Sequence, residues 1–454
     1  MSLPKSFQDK NVCIIGLGYV GLTLAVAMAD SGFRVHGVEK RKDVIDMLSV
    51  DEPHFWEPRL KDKLARVRKS GAFTFSQELS NDTQSTVYII TVGTPLDKDG
   101  NARLDMVQNA TTQVINHMND DAFVILRSTV KLGTTRNGVK SLLEKTGRPF
   151  KIAFCPERTL EGRALIELHQ LPQIIGADDP DTRWRCQQLF GQMTPTTVAL
   201  QSLESAELLK LVDNTYRDLT FGFANEIAKL CSSVGISASE VIEAGKLGYP
   251  RTNVALPGPV GGPCLEKDPH ILYESAKEWD VDMSITKAGR RTNEEQPQEI
   301  SKIVRAWADR LNGFSIAPKI SLLGLAFKGK PSTDDLRGTM ALPILNALKI
   351  AFPNAVFKGY DAVAQDSAII DFFSIDVFST LEEAFVGADI VMILNNHSVF
   401  QQMDLSAITQ TMSRPSIVYD LWNMHGDVSM SMPEGIIELG LGRENVNRSA
   451  LGDI

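Results

Sequence analysis

Cysteine is scarce in this 454-residue chain: Cys13, Cys155, Cys186, Cys231 and Cys264 are widely spaced, odd in number and without a CxxC pair. That spacing offers neither a disulfide framework nor a zinc site. Cys13, inside an apolar run, and Cys231, inside a helical pattern, read as small buried hydrophobes. A basic excess is also missing. The net charge of -9 argues against a phosphate-backbone binder, so no nucleic-acid partner is expected, although a local basic pocket for one anionic ligand is compatible with it. Long unbroken apolar runs are absent too. The most apolar stretch, VCIIGLGYVGLTLAVAMA at 12–29, is interrupted by three glycines and reads as strand, turn and helix. MSLPKSFQDK at the start has no apolar run behind its charges and no small-residue cleavage site, so no secretory signal is expected. The expected setting is cytoplasmic, without membrane insertion. Neither a short-period repeat nor a low-complexity segment is present.

What the chain does contain is alternation. Its length exceeds the size at which one core keeps growing, so two or three domains are expected. In the first 200 residues, short apolar runs are each followed by a turn and a helical pattern: VCII (12–15), VHGV (35–38), VYII (87–90), FVIL (123–126) and KIAF (151–154). This is the rhythm of a doubly wound parallel sheet with helices on both faces. From Glu204 the pattern becomes one long helix, SAELLKLVDNTYRDLTFGFANEIAKLCSSVG, suited to a spine or a dimer interface. After Gly313 the alternation returns, with KISLLGLAF, VFKGYD, DIVMIL and SIVYD as strands, and the tail beyond Gly426 shows no clear pattern. The expected fold is α/β, two Rossmann-like doubly wound domains joined by a long central helix. The division expected is 1–203 for dinucleotide binding, 204–312 for the central helical part and 313–454 for the second α/β domain.

Gly16, Gly18 and Gly21 form GLGYVG between VCII and a helical run, where the three glycines serve a tight turn, backbone approach to a pyrophosphate and close helix packing. Glu39, at the end of VHGV, can accept hydrogen bonds from a ribose 2′-hydroxyl and would repel a 2′-phosphate, which favours NAD over NADP. Lys40, Arg41 and Lys42 follow at once and pull the other way, and a solvated strand end is the alternative for Glu39. TVGTP after VYII, RSTV after FVIL and CPER after KIAF put Thr94, Thr129 and Glu157 on the same carboxyl edge of the sheet as the glycine turn. Lys210 and Asn214 lie four apart on one helix face, either as a site pair or as an exposed polar stripe with Glu207, Asp213 and Arg217. PGPVGGPCLEKD places Cys264 in a glycine loop with Lys267 and Asp268 close behind, where a nearby cation stabilises a thiolate. That position favours a nucleophile over a buried thiol.

GLGYVG, TVGTP, RSTVKLGTT, CPERTLEG, ELLKLVDNTY, GGPCLEKD and FKGKPSTDDLRG occur in the order seen in the UDP-sugar 6-dehydrogenases, and over residues 10 to 425 the chain resembles that family. The resemblance implies oxidation of a sugar C6 alcohol to a carboxylate in two steps with two NAD+, through a cysteine-bound intermediate. It makes Cys264 the nucleophile and has Lys210 and Asn214 stabilise the oxyanion. Asp268 and Thr129 would orient water or assist proton transfer, and Glu157 would be the acid/base. It places Gly16, Gly18, Tyr19, Val20, Gly21, Glu39, Thr94, Thr129, Glu161, Lys267 and Arg337 at NAD. It places Glu157, Arg158, Leu160, Lys210, Asn214, Arg251 and Lys328 at the UDP-sugar, with Arg251 reaching across a homodimer or higher homo-oligomer built on the long helices. No metal is implied.

CPER in place of the family's NPEF, and YPRTNVALPGP before the cysteine, resemble the UDP-N-acetylhexosamine branch, which serves surface polysaccharide precursors. GGPC in place of GGHC leaves the manno, gluco and galacto sugars open, with UDP-glucose as the alternative substrate. A hydroxyacid dehydrogenase would share the first domain and the long helix but needs no cysteine. A non-catalytic nucleotide-sugar sensor is disfavoured by the intact set Lys210, Asn214, Cys264 and Asp268.

Overall fold

The computed structural model describes residues 3, 7–80, 85–98, 100–426 and 431–446. It resolves into two compact units, Met1–Asn214 with His270–Asp282, and Thr215–Pro269 with Met283–Ile454.

The first unit is built on an eight-stranded sheet. Its strands are β1 (Asn11–Ile15), β2 (Arg34–Val38), β3 (Phe73–Ser76), β4 (Val87–Ile90), β5 (Ala122–Leu126), β6 (Phe150–Phe154), β7 (Gln173–Gly176) and β8 (Thr197–Leu200), in the order β3-β2-β1-β4-β5-β6-β7-β8. Pairing is parallel throughout except between β6 and β7, which meet antiparallel through Phe154 and Gly176. The five expected strand runs lie within β1, β2, β4, β5 and β6. Every residue of β4 and β5 is buried, as a parallel sheet covered on both faces requires. The helix Tyr19–Asp30 follows the glycine turn, and it is buried along most of its length rather than on one stripe. That explains why its sequence reads as nearly continuous apolar residues.

The second unit carries β9 (Lys319–Leu323), β10 (Val356–Tyr360), β11 (Asp376–Val377), β12 (Ile390–Ile393), β13 (Ser416–Asp420) and β14 (Ile436–Gly440), in the order β11-β10-β9-β12-β13-β14, all parallel. Each sheet therefore contains the 3-2-1-4-5-6 order of a doubly wound fold, with its switch point between the first and fourth strands of that series. The tail was not patternless: β14 lies beyond Gly426 and pairs with β13. Buried Arg443, just after it, reaches Glu438, Asn423 and the Gly426 carbonyl.

One helix, Leu203–Val234, runs for 32 residues, as the uninterrupted pattern from Glu204 predicts. A second long helix is Ser284–Ala308. Among the described residues no helix is long and apolar enough to cross a membrane, and no cluster of His, Cys, Asp and Glu could hold a metal ion.

Candidate active site

In the first unit the predicted residues gather at the carboxyl ends of β1, β2, β4, β5 and β6. Gly16 turns the chain after β1 with φ +93, and Thr91 just past β4 donates its hydroxyl to the Gly16 carbonyl at 2.7 Å. A Cβ on Gly21 would stand 1.8 Å from the Gly16 carbonyl oxygen, so close packing of helix on turn demands glycine there. A Cβ on Gly18 would meet nothing within 4 Å. Protein packing leaves that position open, which fits a backbone kept bare for a dinucleotide pyrophosphate at a helix N-terminus.

Glu39 accepts the Leu17 N–H and the Arg41 N–H, both at 3.0 Å, which ties the end of β2 to the glycine turn. The carboxylate is half-buried at the end of β2, held by these two N–H groups. Val20 sits in the first turn of the helix Tyr19–Asp30. The Tyr19 hydroxyl is bonded to buried Glu57, and the Gly162 N–H donates to both, at 3.1 and 2.7 Å. Burial pushes the Glu57 carboxyl up despite its donors at Gly162, Leu165 and Ala164. Glu161 lies close enough for its charge to act on Tyr19.

Thr94 donates its hydroxyl to the Thr129 carbonyl, joining the loops after β4 and β5. Glu157 is buried. It takes two donors from Arg127, through Nε at 3.1 Å and through Nη2, and the N–H groups of Arg158 and Thr159 at 2.7 Å each. Burial works to raise its pKa, but the charges of Arg127 and Lys210 with those donors outweigh it and hold the carboxyl below its ordinary value. A carboxyl so held is an anion at neutral pH, suited to fixing a cation rather than donating a proton. Arg127 also reaches the Cys155 carbonyl and Gln173. It was missed as a site residue although it opens RSTV directly after a buried strand.

Lys210 and Asn214 are 7% and 6% exposed, so they are not part of an exposed polar stripe. Glu207, expected on that stripe, is buried as well, because its carboxylate accepts the Gly133 N–H at 2.6 Å and the Thr135 N–H at 2.7 Å. Arg158 pairs with Asp213 at 3.1 Å, and the Leu160 N–H donates to Glu167 at 2.8 Å. Cys155 and Cys186 are buried thiols in contact, with sulfurs 3.3 Å apart.

In the second unit Cys264 is exposed, whereas the other four thiols of the chain are buried. Its carbonyl accepts the N–H groups of Lys267 at 3.2 Å and Asp268 at 2.9 Å, a turn that feeds the helix Asp268–Lys277. Lys267 donates to buried Asp268 at 2.8 Å. Burial works to lower the Lys267 pKa, but the charges of Asp268 and Cys264 outweigh it and raise the ammonium above its ordinary value. By reciprocity that ammonium stabilises a Cys264 thiolate.

The loop is pinned by its glycines: the Gly262 N–H donates to the Gly338 carbonyl at 2.7 Å, and a Cβ on Gly261 would fall 2.2 Å from the same oxygen. Gly262 itself packs on the Phe327 ring, so Lys328 and Arg337 both neighbour residues that touch the cysteine loop. Arg337 pairs with Asp335, and Lys328 stands over the Phe327 ring. Arg251 is exposed and stacks on the Tyr249 ring at 4.7 Å, without a hydrogen bond to the loop among the described residues.

The chain matches models of the UDP-glucose/GDP-mannose dehydrogenase family in three consecutive segments: the NAD binding domain over residues 10–194, the central domain over 204–295 and the UDP binding domain over 321–427. It is 31% identical over 440 residues to the UDP-N-acetyl-D-mannosamine dehydrogenase of Pyrococcus horikoshii, covering 96% of this chain and 100% of the relative. The solved structure of the UDP-D-ManNAc dehydrogenase from Pyrococcus horikoshii superposes with a TM-score of 0.85 at 30% identity, covering 96% of this chain and 100% of that one. A UDP-glucose dehydrogenase structure from Pyrobaculum islandicum also gives 0.85, at 25% identity, with 97% and 99% covered.

Proposed function

The chain belongs to the UDP-glucose/GDP-mannose dehydrogenase family of NAD-dependent nucleotide-sugar dehydrogenases, and from that premise we propose that it oxidises the C6 alcohol of a UDP-N-acetylhexosamine to the uronic acid. Bound NAD+ supplies the hydride acceptor for each of two oxidations, one NAD+ for each. After the first, the Cys264 thiolate adds to the C6 aldehyde, and the resulting alkoxide takes up a proton to give a thiohemiacetal. Loss of a second hydride and a proton leaves a thioester, and water cleaves it to the carboxylate and the free thiol.

Lys210 and Asn214 stabilise the oxyanion at C6. Asp268 and Thr129 orient water or move its proton, and ionised Glu157 serves as an acceptor and as the partner of the Lys210 charge. GLGYVG with Glu39, Thr94, Glu161, Lys267 and Arg337 holds the dinucleotide, while Arg158, Leu160, Arg251 and Lys328 hold the UDP-sugar. We keep 1–203, 204–312 and 313–454 as the functional division, a cytoplasmic setting, and a role in surface polysaccharide precursor supply.

The observation that carries the chemistry is the exposed Cys264 beside Lys267, in a chain whose other thiols are buried. Support for the sugar comes from the likeness to UDP-N-acetyl-D-mannosamine dehydrogenases. UDP-glucose is the second reading, favoured by the equal TM-score of the Pyrobaculum islandicum enzyme.

The test supplies a panel of UDP-hexoses and UDP-N-acetylhexosamines with NAD+ and counts NADH against sugar consumed. The expected outcome is about two NADH per sugar, fastest with an N-acetylhexosamine, as a full alcohol-to-carboxylate oxidation requires. One NADH per sugar would defeat the two-step reading, and preference for UDP-glucose would defeat the hexosamine assignment.

The long helix supports assembly as a homodimer. Val212, Tyr216, Phe223, Leu230 and Val234 are exposed along it, Tyr216 at 61% and Phe223 at 52%. At about 100° per residue these five fall within an arc of about 40°, one apolar face along the helix.

A further inference from the structure

Residues 251 to 267, which carry Cys264, contain neither helix nor strand. An irregular segment has no ladder to satisfy its backbone, so each buried N–H and C=O in it needs another partner. Side chains of one buried cluster supply those partners at two points. Asn225, on the long helix, donates Nδ2 to the Gly258 carbonyl at 3.1 Å and accepts the Gly258 N–H on Oδ1 at 3.0 Å. It thereby pairs with that residue as a neighbouring strand would. Arg290, on the helix Ser284–Ala308, donates from Nη1 to the Leu265 carbonyl at 2.9 Å and to Asp218 Oδ1 at 2.7 Å. Asn293 closes the cluster: its Nδ2 donates to the Asp218 carbonyl and carboxylate at 3.0 and 2.9 Å, and its Oδ1 accepts from Asn225 at 3.0 Å. Asp218 and Asn293 are fully buried, and Arg290 and Asn225 nearly so.

The two grips fall on either side of the thiol, at Gly258 upstream and at Leu265 immediately downstream. Joining the helices does not require this chemistry. Their backbones already touch at Gly222 and Gly289, where a Cβ on Gly222 would lie 2.8 Å from the Gly289 carbonyl oxygen. A buried ion pair is also a poor source of net stability compared with well-packed apolar residues. What the cluster does that apolar residues would not is hold two backbone points of the loop.

We propose that Asp218, Asn225, Arg290 and Asn293 form a positioning frame for Cys264, fixing the loop so that the thiolate meets C6 in one geometry. This rests on the reading of Cys264 as the nucleophile and names the residues that aim it. A displacement of about 1 Å at a reacting atom costs on the order of a hundredfold in rate.

The test compares the wild-type enzyme with Asn225→Ala, which releases the Gly258 grip. A second variant, Asp218→Asn with Arg290→Leu, releases the Leu265 grip without leaving a lone buried charge. Turnover with NAD+ and a UDP-N-acetylhexosamine is measured, together with the rate of Cys264 alkylation by iodoacetamide, read by mass spectrometry. The other four thiols are buried, so the probe reports on this one. The expected result is a loss in kcat of about ten- to hundredfold with KM for NAD+ held within about twofold, because chemistry and not cofactor binding loses its alignment. Alkylation should slow by about fivefold or more as the thiolate drifts from Lys267. Wild-type kcat and alkylation in a folded variant, even one with a lower melting temperature, would overturn the frame. Cys264→Ala separates the two failures: turnover surviving in it defeats the nucleophile reading, while the alkylation rates still decide whether the cluster aims the thiol.

Discussion

Glu207 shows how one side chain's chemistry depends on what the fold places against it. In the sequence it is one of several polar residues on a helix, and nothing about its spacing separates it from Asp213 or Arg217. In the structure it is buried and accepts the backbone N–H groups of Gly133 and Thr135 and the Thr135 hydroxyl, which anchors the segment following Thr129. Burial pushes its pKa from 4.5 up to about 7, with the Glu204 charge adding and the Thr135 and Gly133 donors opposing. Because this carboxyl ionises less readily when folded, the folded chain holds more protons than the unfolded chain between those two values. Its contribution to stability therefore falls as pH rises through that interval, by on the order of 3 kcal/mol at most. Urea midpoints taken from pH 4.5 to pH 8 should show that decline, and Glu207→Gln should flatten it; an unchanged slope would assign the decline to other groups. Glu157 behaves in the opposite sense, since its depressed pKa contributes stability that is present above the ordinary carboxyl value and is lost as pH falls through the folded value. Arg127→Met leaves that carboxylate buried without its main partner and should destabilise the protein by about 3–5 kcal/mol at neutral pH. The loss should shrink in acid, where Glu157 can protonate, and denaturation at two pH values decides it. The exposed setting of Cys264 was legible in the sequence because its glycine loop is itself a pattern. Arg127 and Glu207 were not, because a buried charge is recognised only once its partner is known, and here the partners lie 30 and about 72–74 positions away in sequence.

Among elements, the segments that could be read were those whose local pattern matches their burial. β4 and β5 are apolar from end to end because both faces are covered. β8 was missed for the converse reason: TVAL is partly or fully exposed along its length and presents neither alternation nor a buried run. β11 has only two residues, and β14 follows a stretch without helical pattern, so pairing with β10 and β13 defines them more than composition does. The glycine turn was legible as a tight turn at Gly16 and a close helix contact at Gly21, and the structure sets Gly18 apart from them. Gly21 is required by the protein itself, since a methyl group there would meet the Gly16 carbonyl and the Thr91 hydroxyl. Gly18 has no such neighbour. Gly21→Ala should therefore lower both stability and NADH affinity, because strand, turn and helix must part to admit the Cβ. Gly18→Ala should leave the melting temperature within about 1 °C and weaken NADH alone, since the open side is the one a pyrophosphate approaches. Thermal melts beside NADH fluorescence titrations separate the two, and equal stability losses in both variants would contradict the distinction.

For the whole molecule, the apolar face of the long helix is the feature that a single chain leaves unexplained. Isolated exposed hydrophobes are ordinary, but Val212, Tyr216, Phe223, Leu230 and Val234 recur at spacings of four and seven, which keeps them on one side of the helix Leu203–Val234. Tyr216 and Phe223 are the side chains with the largest area to bury, and aromatic anchors of this kind carry most of the energy of an interface. A second copy of the same helix would present the same face, so a contact made through it would close on itself about a two-fold axis. Charge placed at the centre of the face should then separate the copies while the fold persists, because these side chains lie outside the buried core. Tyr216→Glu with Phe223→Glu should sediment at one chain's mass at micromolar concentration, with circular dichroism unchanged, while the parent is expected to sediment at twice that mass. The resemblance that has Arg251 complete its neighbour's site predicts that the separated variant also loses affinity for the UDP-sugar while NADH still binds. A variant that separates yet keeps its full UDP-sugar affinity would uphold the dimer assignment and remove Arg251 from the site.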